Sequence, residues 1–95
     1  MALQKAMELD NGVIVNYHRI FSVTKRTNIA VWLEIHSYIS KAKRDEEKDA
    51  EDRGEQIFPF KNCFTLEAPY DETKEIEDYY TYLKTLEMFE GAIDV

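Results

Sequence analysis

Apolar residues occupy nearly every odd-numbered position in two long runs that together span residues 13–39. Alternation with a period of two is typical of a strand with one buried face, because successive side chains of a strand point to opposite sides of the sheet. The apolar members are Val13, Val15, Tyr17, Phe21 and Val23 in the first run, and Ile29, Val31, Leu33, Ile35 and Ile39 in the second. The pattern therefore predicts two paired strands that share one dry face.

A shorter run at residues 2–9 has the same odd-numbered phase and predicts a first strand. It is followed by Asn11 and Gly12, residue types that tolerate the positive φ of tight hairpin turns. A two-residue turn would put the two apolar sets on opposite faces. A three-residue loop with Gly12 in the left-handed conformation pairs Leu9 with Val13 and keeps the sets together, so we favour this loop.

The same parity argument predicts an odd-length loop for the second connection, at residues 25–27 or 24–28, with Val23 opposite Ile29. The other face of this hairpin then combines polar residues with large aromatic ones. Its members are Asn16, His18, Ile20, Ser22, Ala30, Trp32, Glu34, His36 and Tyr38. A face that holds a tryptophan and two histidines is not simply exposed to solvent, and we expect part of it to be covered.

Residues 41–56 carry many charges of both signs and no large apolar side chain. Because such a segment has nothing to anchor it in a core, it is predicted to be an acidic mobile loop or an exposed charged helical turn. A Ca²⁺ site would be the functional alternative for its acids. However, they lack the alternating spacing and central glycine of a calcium-binding loop.

The last third of the chain predicts one strand and one helix. Alternation returns on even positions over residues 58–67, and Asp71 is a candidate N-cap for a helix over residues 73–87. The apolar positions of that helix are Ile76, Tyr79, Tyr80, Leu83 and Leu86. The predicted fold is α+β: a four-stranded antiparallel sheet, made of an N-terminal meander plus a fourth strand, with one C-terminal helix packed on one face. Residues 1–95 are expected to form a single domain.

Acidic residues outnumber basic ones by 19 to 12, which gives a net charge of −7. Non-specific binding to nucleic acid or to an anionic membrane surface needs clustered basic residues, so neither partner is expected. No stretch is apolar enough to cross a bilayer, and residues 1–9 lack the apolar centre of a secretory signal. The single cysteine, Cys63, excludes an internal disulfide. A cytoplasmic location is expected.

The sequence contains no glycine-rich phosphate loop and no motif of nucleophilic catalysis. His18, Glu34 and His36 resemble a metal triad in composition, yet polar pairs on adjacent strands are ordinary in sheets. Nothing in the sequence places Cys63 within hydrogen-bond reach of either histidine. We therefore expect no catalytic residue, no metal, no cofactor and no small-molecule substrate.

One helix of about fifteen residues covers only part of a four-stranded sheet, so the chain has more apolar residues than its predicted core can bury. The excess predicts an oligomer or a docking surface. Tyr79 and Tyr80 are predicted to pack the helix on the sheet with their hydroxyls at the rim, whereas Tyr82 lies off the apolar stripe. The candidate interface residues are Trp32, Tyr38, Phe58, Phe60, Tyr82 and Phe89.

Two stretches carry a family resemblance. NGVIVNYHRI at residues 11–20 resembles the opening of small proteins encoded in the tail modules of bacteriophages and prophages of Gram-positive bacteria. YTYLKTL at residues 80–86 is similar to their closing helix, although Glu87 and Val95 stand where relatives commonly have proline and cysteine. The resemblance implies a virion or tail-assembly protein of the tail-tip or baseplate region. It would act by oligomerisation or by docking onto larger tail proteins, in the virion or in the cytoplasm of the infected or lysogenic bacterium.

Two other functions stay open. The chain could be an acidic inhibitor or nucleic-acid mimic encoded by a mobile element, with the acids of residues 41–56 facing a basic partner. It could also be a metal-dependent enzyme that uses His18, Glu34 and His36.

Overall fold

The structure, a computed structural model, describes residues 2–95, which form an antiparallel sheet of five strands and two α-helices. The elements are β1 (Leu3–Glu8), β2 (Ile14–Arg26), β3 (Ala30–Tyr38), α1 (Lys41–Asp52), β4 (Asn62–Ala68), α2 (Ile76–Leu83), a 3₁₀ turn (Glu87–Phe89) and β5 (Ile93–Asp94). In space the strands are ordered β4-β3-β2-β1-β5. The α+β class and the N-terminal meander are confirmed, but the sheet has one more strand, and the fold one more helix, than predicted. Neither helix of residues 2–95 is long and apolar enough to cross a membrane.

The first hairpin has the predicted three-residue loop. Gly12 has a φ of 84°, in the left-handed region. The amide of Leu9 donates a hydrogen bond to the carbonyl of Val13 at 2.8 Å. Met7 pairs with Val15, so the register that was chosen from the apolar pattern is confirmed.

The second hairpin also has an odd-length loop, but at a different place. Arg26 pairs with Ala30, which leaves a three-residue loop centred on Asn28 with a φ of 60°. Asn is one of the few non-glycine types that adopt this conformation readily. Val23 therefore pairs with Leu33 instead of Ile29, and the predicted position of the loop is wrong.

A β-bulge in β2 changes which side chains face the core. Ile20 pairs with Ile35 and Ser22 with Glu34, so Phe21 between them has no partner in β3. An extra residue reverses the alternation of the strand, and strict parity cannot anticipate it. Phe21 is 51 % exposed and does not lie on the dry face, contrary to the prediction.

The core lies between one face of the sheet and α2. Its buried members are Leu3, Ile20, Val31, Leu33, Ile35, Ala68, Tyr79, Tyr80, Leu83 and Phe89. The fourth strand begins at Asn62, later than predicted, because residues 58–60 precede the ladder instead of joining it. Pairing of Phe64 with Ile35 places the even-numbered residues of β4 on the core side, as their alternation predicted.

α2 begins at a capping box and not at Asp71. The side chains of Glu75 and Asp78 each accept a hydrogen bond from the other's backbone amide. Asp71 instead accepts hydrogen bonds from the amide and the hydroxyl of Thr73, at 2.9 and 2.6 Å, and so forms a local turn. This turn and the capping box delay the start of the helix to Ile76; it ends at Leu83 and is shorter than predicted at both ends.

The two tyrosines predicted to lie with their hydroxyls at the rim are deeply buried. Tyr79 and Tyr80 are each 3 % exposed. The Tyr80 hydroxyl accepts a hydrogen bond from the amide of Ile20 at 2.8 Å, at the start of the bulge. Tyr80 therefore supplies an acceptor to a backbone amide of the strand on which α2 packs.

The segment at residues 41–56, for which the sequence predicted an acidic mobile loop or an exposed charged helical turn, is largely the helix α1, so the helical alternative is the one that the structure has. Only Glu47 and Ala50 of this helix are buried. Tyr38 on β3 is fully buried and donates a hydrogen bond to Glu47. α1 thus covers part of the face opposite the core. The expectation that something covers this face is confirmed, and the cover belongs to the same chain.

Candidate functional site

The contact between α1 and the sheet is made by a buried polar network centred on Glu47. This side chain is 7 % exposed and accepts hydrogen bonds from the Tyr38 hydroxyl at 2.9 Å and from Arg44 Nη1 at 2.8 Å. Arg19 Nη2 of β2 lies 3.9 Å from the same carboxylate. Burial and the bond to Glu47 raise the pKa of Tyr38 far above its ordinary value. The hydroxyl therefore stays protonated and acts as a donor.

A cavity of about 330 Å³, called here the α1 cavity, lies beside this network, between the sheet, α1 and the segment that leads into β4. Its apolar wall includes Phe21, Ile57, Phe58 and Phe60. Its polar wall includes Glu34, His36 and Cys63, together with Glu47 and Glu51 of α1. The cavity thus brings ionisable groups from three elements next to an aromatic surface.

His36 is held between two aromatic rings in this cavity. Its ring centroid lies 4.2 Å from that of Phe21, with an interplanar angle of 11°. The ring of Phe60 lies at the same centroid distance of 4.2 Å, tilted by 34°. The β-bulge is what turns Phe21 to this face, so the irregularity in β2 is the reason that His36 is stacked.

Three side chains with metal-binding atoms meet at the polar wall. Glu34 Oε2 lies 2.7 Å from His36 Nε2, and Cys63 pairs directly with His36 across the β3–β4 ladder. One ligand atom from each of the three residues lies within 4.8 Å of the others. Burial, the Glu34 charge and a hydrogen bond to Glu34 raise the pKa of the Cys63 thiol.

This grouping differs from the one considered from the sequence. His18 lies away from Glu34 and His36: it pairs with Ser37, and its ring contacts Phe89 on the core side at a centroid distance of 5.4 Å. The third member of the group is Cys63 instead of His18, although the sequence gave no reason to place Cys63 near a histidine. The sequence offers one signal for this placement, namely that Cys63 has an odd number in β4 and so faces away from the apolar even-numbered residues. That signal identifies a neighbouring side chain only when the β3–β4 register is known.

His18 is a buried structural residue. Its Nε2 donates to the carbonyl of Lys5 at 2.7 Å, and its Nδ1 lies 2.7 Å from the Ser37 hydroxyl, which can donate to it. The neutral ring therefore satisfies both contacts. Burial lowers the pKa of His18 below its ordinary value.

A pH-dependent contribution of His18 to stability follows. Because the folded-state pKa is lowered, the unfolded chain binds more protons below the ordinary pKa of about 6.5, and the contribution falls as the pH falls below that value. We expect His18→Gln, whose amide can still donate to Lys5, to flatten this dependence by at most about 1.4 kcal/mol per pH unit. Urea unfolding between pH 5 and 8 measures it. If the free energy of unfolding depended on pH in the same way in the wild type and in His18→Gln, His18 would not be the source of the dependence.

Two of the six candidate interface residues are buried inside the chain. Tyr38 and Phe89 are both 0 % exposed, the first under α1 and the second in the core. Neither offers side-chain surface to a partner in this conformation. The sequence suggested exposure because it predicted neither α1 as a cover nor the 3₁₀ turn that directs Phe89 inward.

The other four candidates lie at three places. Phe58 is 66 % exposed, and Phe60 packs on it with a ring-centroid distance of 6.1 Å. Trp32 is half-buried, with the Arg26 guanidinium 5.3 Å from the centroid of its ring. Tyr82 is half-buried beside a second cavity of about 330 Å³, between α2 and the segment that leads into it.

No protein-family model, no curated protein and no solved structure matches this chain.

Proposed function

We propose that this chain is a non-enzymatic structural or assembly component of a bacteriophage or prophage tail, and that it acts by associating with copies of itself or with larger tail proteins. The observation that carries the association is the exposed aromatic surface beside the α1 cavity. The tail assignment itself rests on the resemblance of residues 11–20 and 80–86.

The surface, called here the aromatic rim, consists of Phe21, Ile57, Phe58 and Phe60. The first three are 51, 38 and 66 % exposed, and all four line one cavity. Scattered apolar residues are normal on protein surfaces, but adjoining large ones mark sites of interaction. Phenylalanine and other aromatic residues are enriched in protein interfaces. Burial of the aromatic rim by a partner would remove Phe58, the most exposed aromatic residue of residues 2–95, from water.

The edge of the sheet adjoins the same surface. β4 is an outer strand of the sheet in residues 2–95, and its seven residues directly follow the aromatic rim. An outer strand has free backbone donors and acceptors that can pair with a strand of another chain. A partner on the aromatic rim could therefore gain both apolar burial and strand pairing.

The acidic inhibitor is the weaker alternative. Five acids of α1 are exposed: Asp45, Glu46, Asp49, Glu51 and Asp52. Glu47, which would complete the acidic stretch, faces inward toward Arg44. Lys41 and Lys48 are exposed on the same helix, so α1 does not present the uniform negative charge of a nucleic-acid backbone. Neutralising Asp45, Glu46, Asp49 and Asp52, the exposed acids of α1 that do not line the α1 cavity, would abolish partner binding by a mimic and leave assembly through the aromatic rim unchanged.

Self-association through the aromatic rim can be tested with one substitution. We expect the wild-type chain to associate as its concentration rises, and Phe58→Ser to raise the midpoint concentration at least tenfold, or about 1.4 kcal/mol, as expected for a central interface aromatic. Light scattering or sedimentation across a dilution series measures both.

Ile29→Ser is the matched control, because Ile29 is a similarly exposed residue, at 70 %, in the β2–β3 loop. It should leave the midpoint unchanged. Equal effects of the two substitutions would remove the aromatic rim from the proposal. A wild-type monomer at the highest concentration would exclude self-association and leave docking onto a larger tail protein.

A further inference from the structure

The polar wall of the α1 cavity has the composition of a metal site. Glu34 supplies a carboxylate oxygen, His36 an imidazole nitrogen and Cys63 a sulfur, all within 4.8 Å of one another. The Glu34 carboxylate accepts a hydrogen bond from His36 Nε2 at 2.7 Å, and the Cys63 sulfur lies within 4.8 Å of both groups. A divalent cation between the three groups would take the place of the proton that His36 Nε2 shares with Glu34, and the neutral ring would then carry its proton on Nδ1.

We propose that Glu34, His36 and Cys63 form a Zn²⁺ site that bridges β3 and β4. Zn²⁺ binds carboxylate, imidazole and thiolate together, at about 2.0 to 2.3 Å and in tetrahedral geometry. Three ligands from the chain leave the fourth position to water. Ca²⁺ and Mg²⁺ take oxygen ligands almost exclusively, so a set with one oxygen, one nitrogen and one sulfur atom disfavours both.

The charges of the site balance. Zn²⁺ displaces the thiol proton of Cys63, which is released to solvent, and the resulting thiolate together with the Glu34 carboxylate neutralises the cation. Glu47 on the opposite wall is already engaged by Arg44 and Tyr38, so it adds no free negative charge. A neutral complex suits a partly buried position, where an unbalanced charge is costly.

The site is pre-organised and accessible. His36 is 5 % exposed, and its ring is fixed by stacking against Phe21 and Phe60, although its Nδ1 is buried without a hydrogen-bond partner. In most metal sites a hydrogen bond from the second ring nitrogen performs this orienting role. Cys63 is exposed, which gives an ion a path to the site from solvent.

Titration of the full chain with Zn²⁺ alone tests the proposal. The protein is used without a polyhistidine tag, in a non-thiol reductant, and in competition with a chromophoric chelator. We expect one Zn²⁺ per chain. Cys63→Ser and Glu34→Gln should each weaken binding at least tenfold, since loss of even a supporting residue costs about 10- to 100-fold in metal affinity. Co²⁺ should show a thiolate charge-transfer band that Cys63→Ser abolishes.

Glu67→Gln is the matched control, because Glu67 is an exposed acid of β4 whose loss removes one charge outside the three-residue group. It should leave the affinity unchanged. Cys63 and Glu34 are less buried than His36, so both variants are expected to fold, which circular dichroism verifies. Failure to bind one equivalent of Zn²⁺, or binding that survives Cys63→Ser, would overturn the proposal. Neither result depends on whether the chain associates through the aromatic rim.

Discussion

Leu83→Ala is expected to lower the free energy of unfolding by about 3 kcal/mol, within the range for deleting a buried leucine side chain. Leu83 is 1 % exposed and belongs to the core cluster between α2 and the sheet. A helix of eight residues is too short to be stable by itself, so packing must supply its stability. The substitution therefore removes apolar burial and also loosens the attachment of α2. Urea unfolding followed by circular dichroism measures the loss.

Ile76→Ala is the matched control in the same helix. Ile76 is 48 % exposed, and alanine has the higher helix propensity, so we expect a change of less than about 1 kcal/mol. If the two substitutions had equal effects, α2 would not be anchored to the sheet in the way described.

Parts of the fold could be predicted because parity is a strong constraint wherever one face of a strand is buried. The first hairpin could be predicted because a three-residue loop keeps Leu9 and Val13 on the same side of the sheet, and Gly12 can adopt the left-handed conformation that this loop needs. The second hairpin depended on Asn28, whose left-handed conformation has a weaker signal, and on an extra residue at Phe21. Neither the shift nor the bulge changes the apolar composition of the runs, so periodicity alone could not locate them.

The ends of the fold escaped prediction for other reasons. β5 has two residues, too few for a periodic pattern, and exists because it pairs with β1 through Leu3 and Asp94. α1 has a polar sequence throughout, and hydrophobic periodicity cannot detect a helix whose inward face is Glu47 and a small alanine. The group of Glu34, His36 and Cys63 was not predicted because its members lie on two strands whose relative register the sequence does not specify. Without that register, His18 was as plausible a neighbour for Glu34 as Cys63.

Glu47→Ala is expected to lower the free energy of unfolding by about 3 kcal/mol, the order observed when one partner of a buried charged pair is removed. It would leave the Tyr38 hydroxyl without its acceptor and would bring Arg44 and Arg19 together without the carboxylate between them. Alanine favours helix formation at least as much as glutamate, so a loss of stability would come from the contacts and not from helix propensity. Urea unfolding measures the total effect, and amide hydrogen exchange in α1 reports whether the helix detaches from the sheet.

Glu46→Ala, at the preceding position, separates the effect of the buried network from the effect of the charge of the helix. Glu46 pairs with Lys43 at the surface, where the two side chains are 57 and 44 % exposed, and such pairs contribute less than about 1 kcal/mol. Glu47→Gln keeps an acceptor for Tyr38 and should fall between the two alanine variants. If Glu47→Ala were as harmless as Glu46→Ala, α1 would be only loosely docked. The wall of the α1 cavity that is formed by Glu47 and Glu51 would then not be fixed in place.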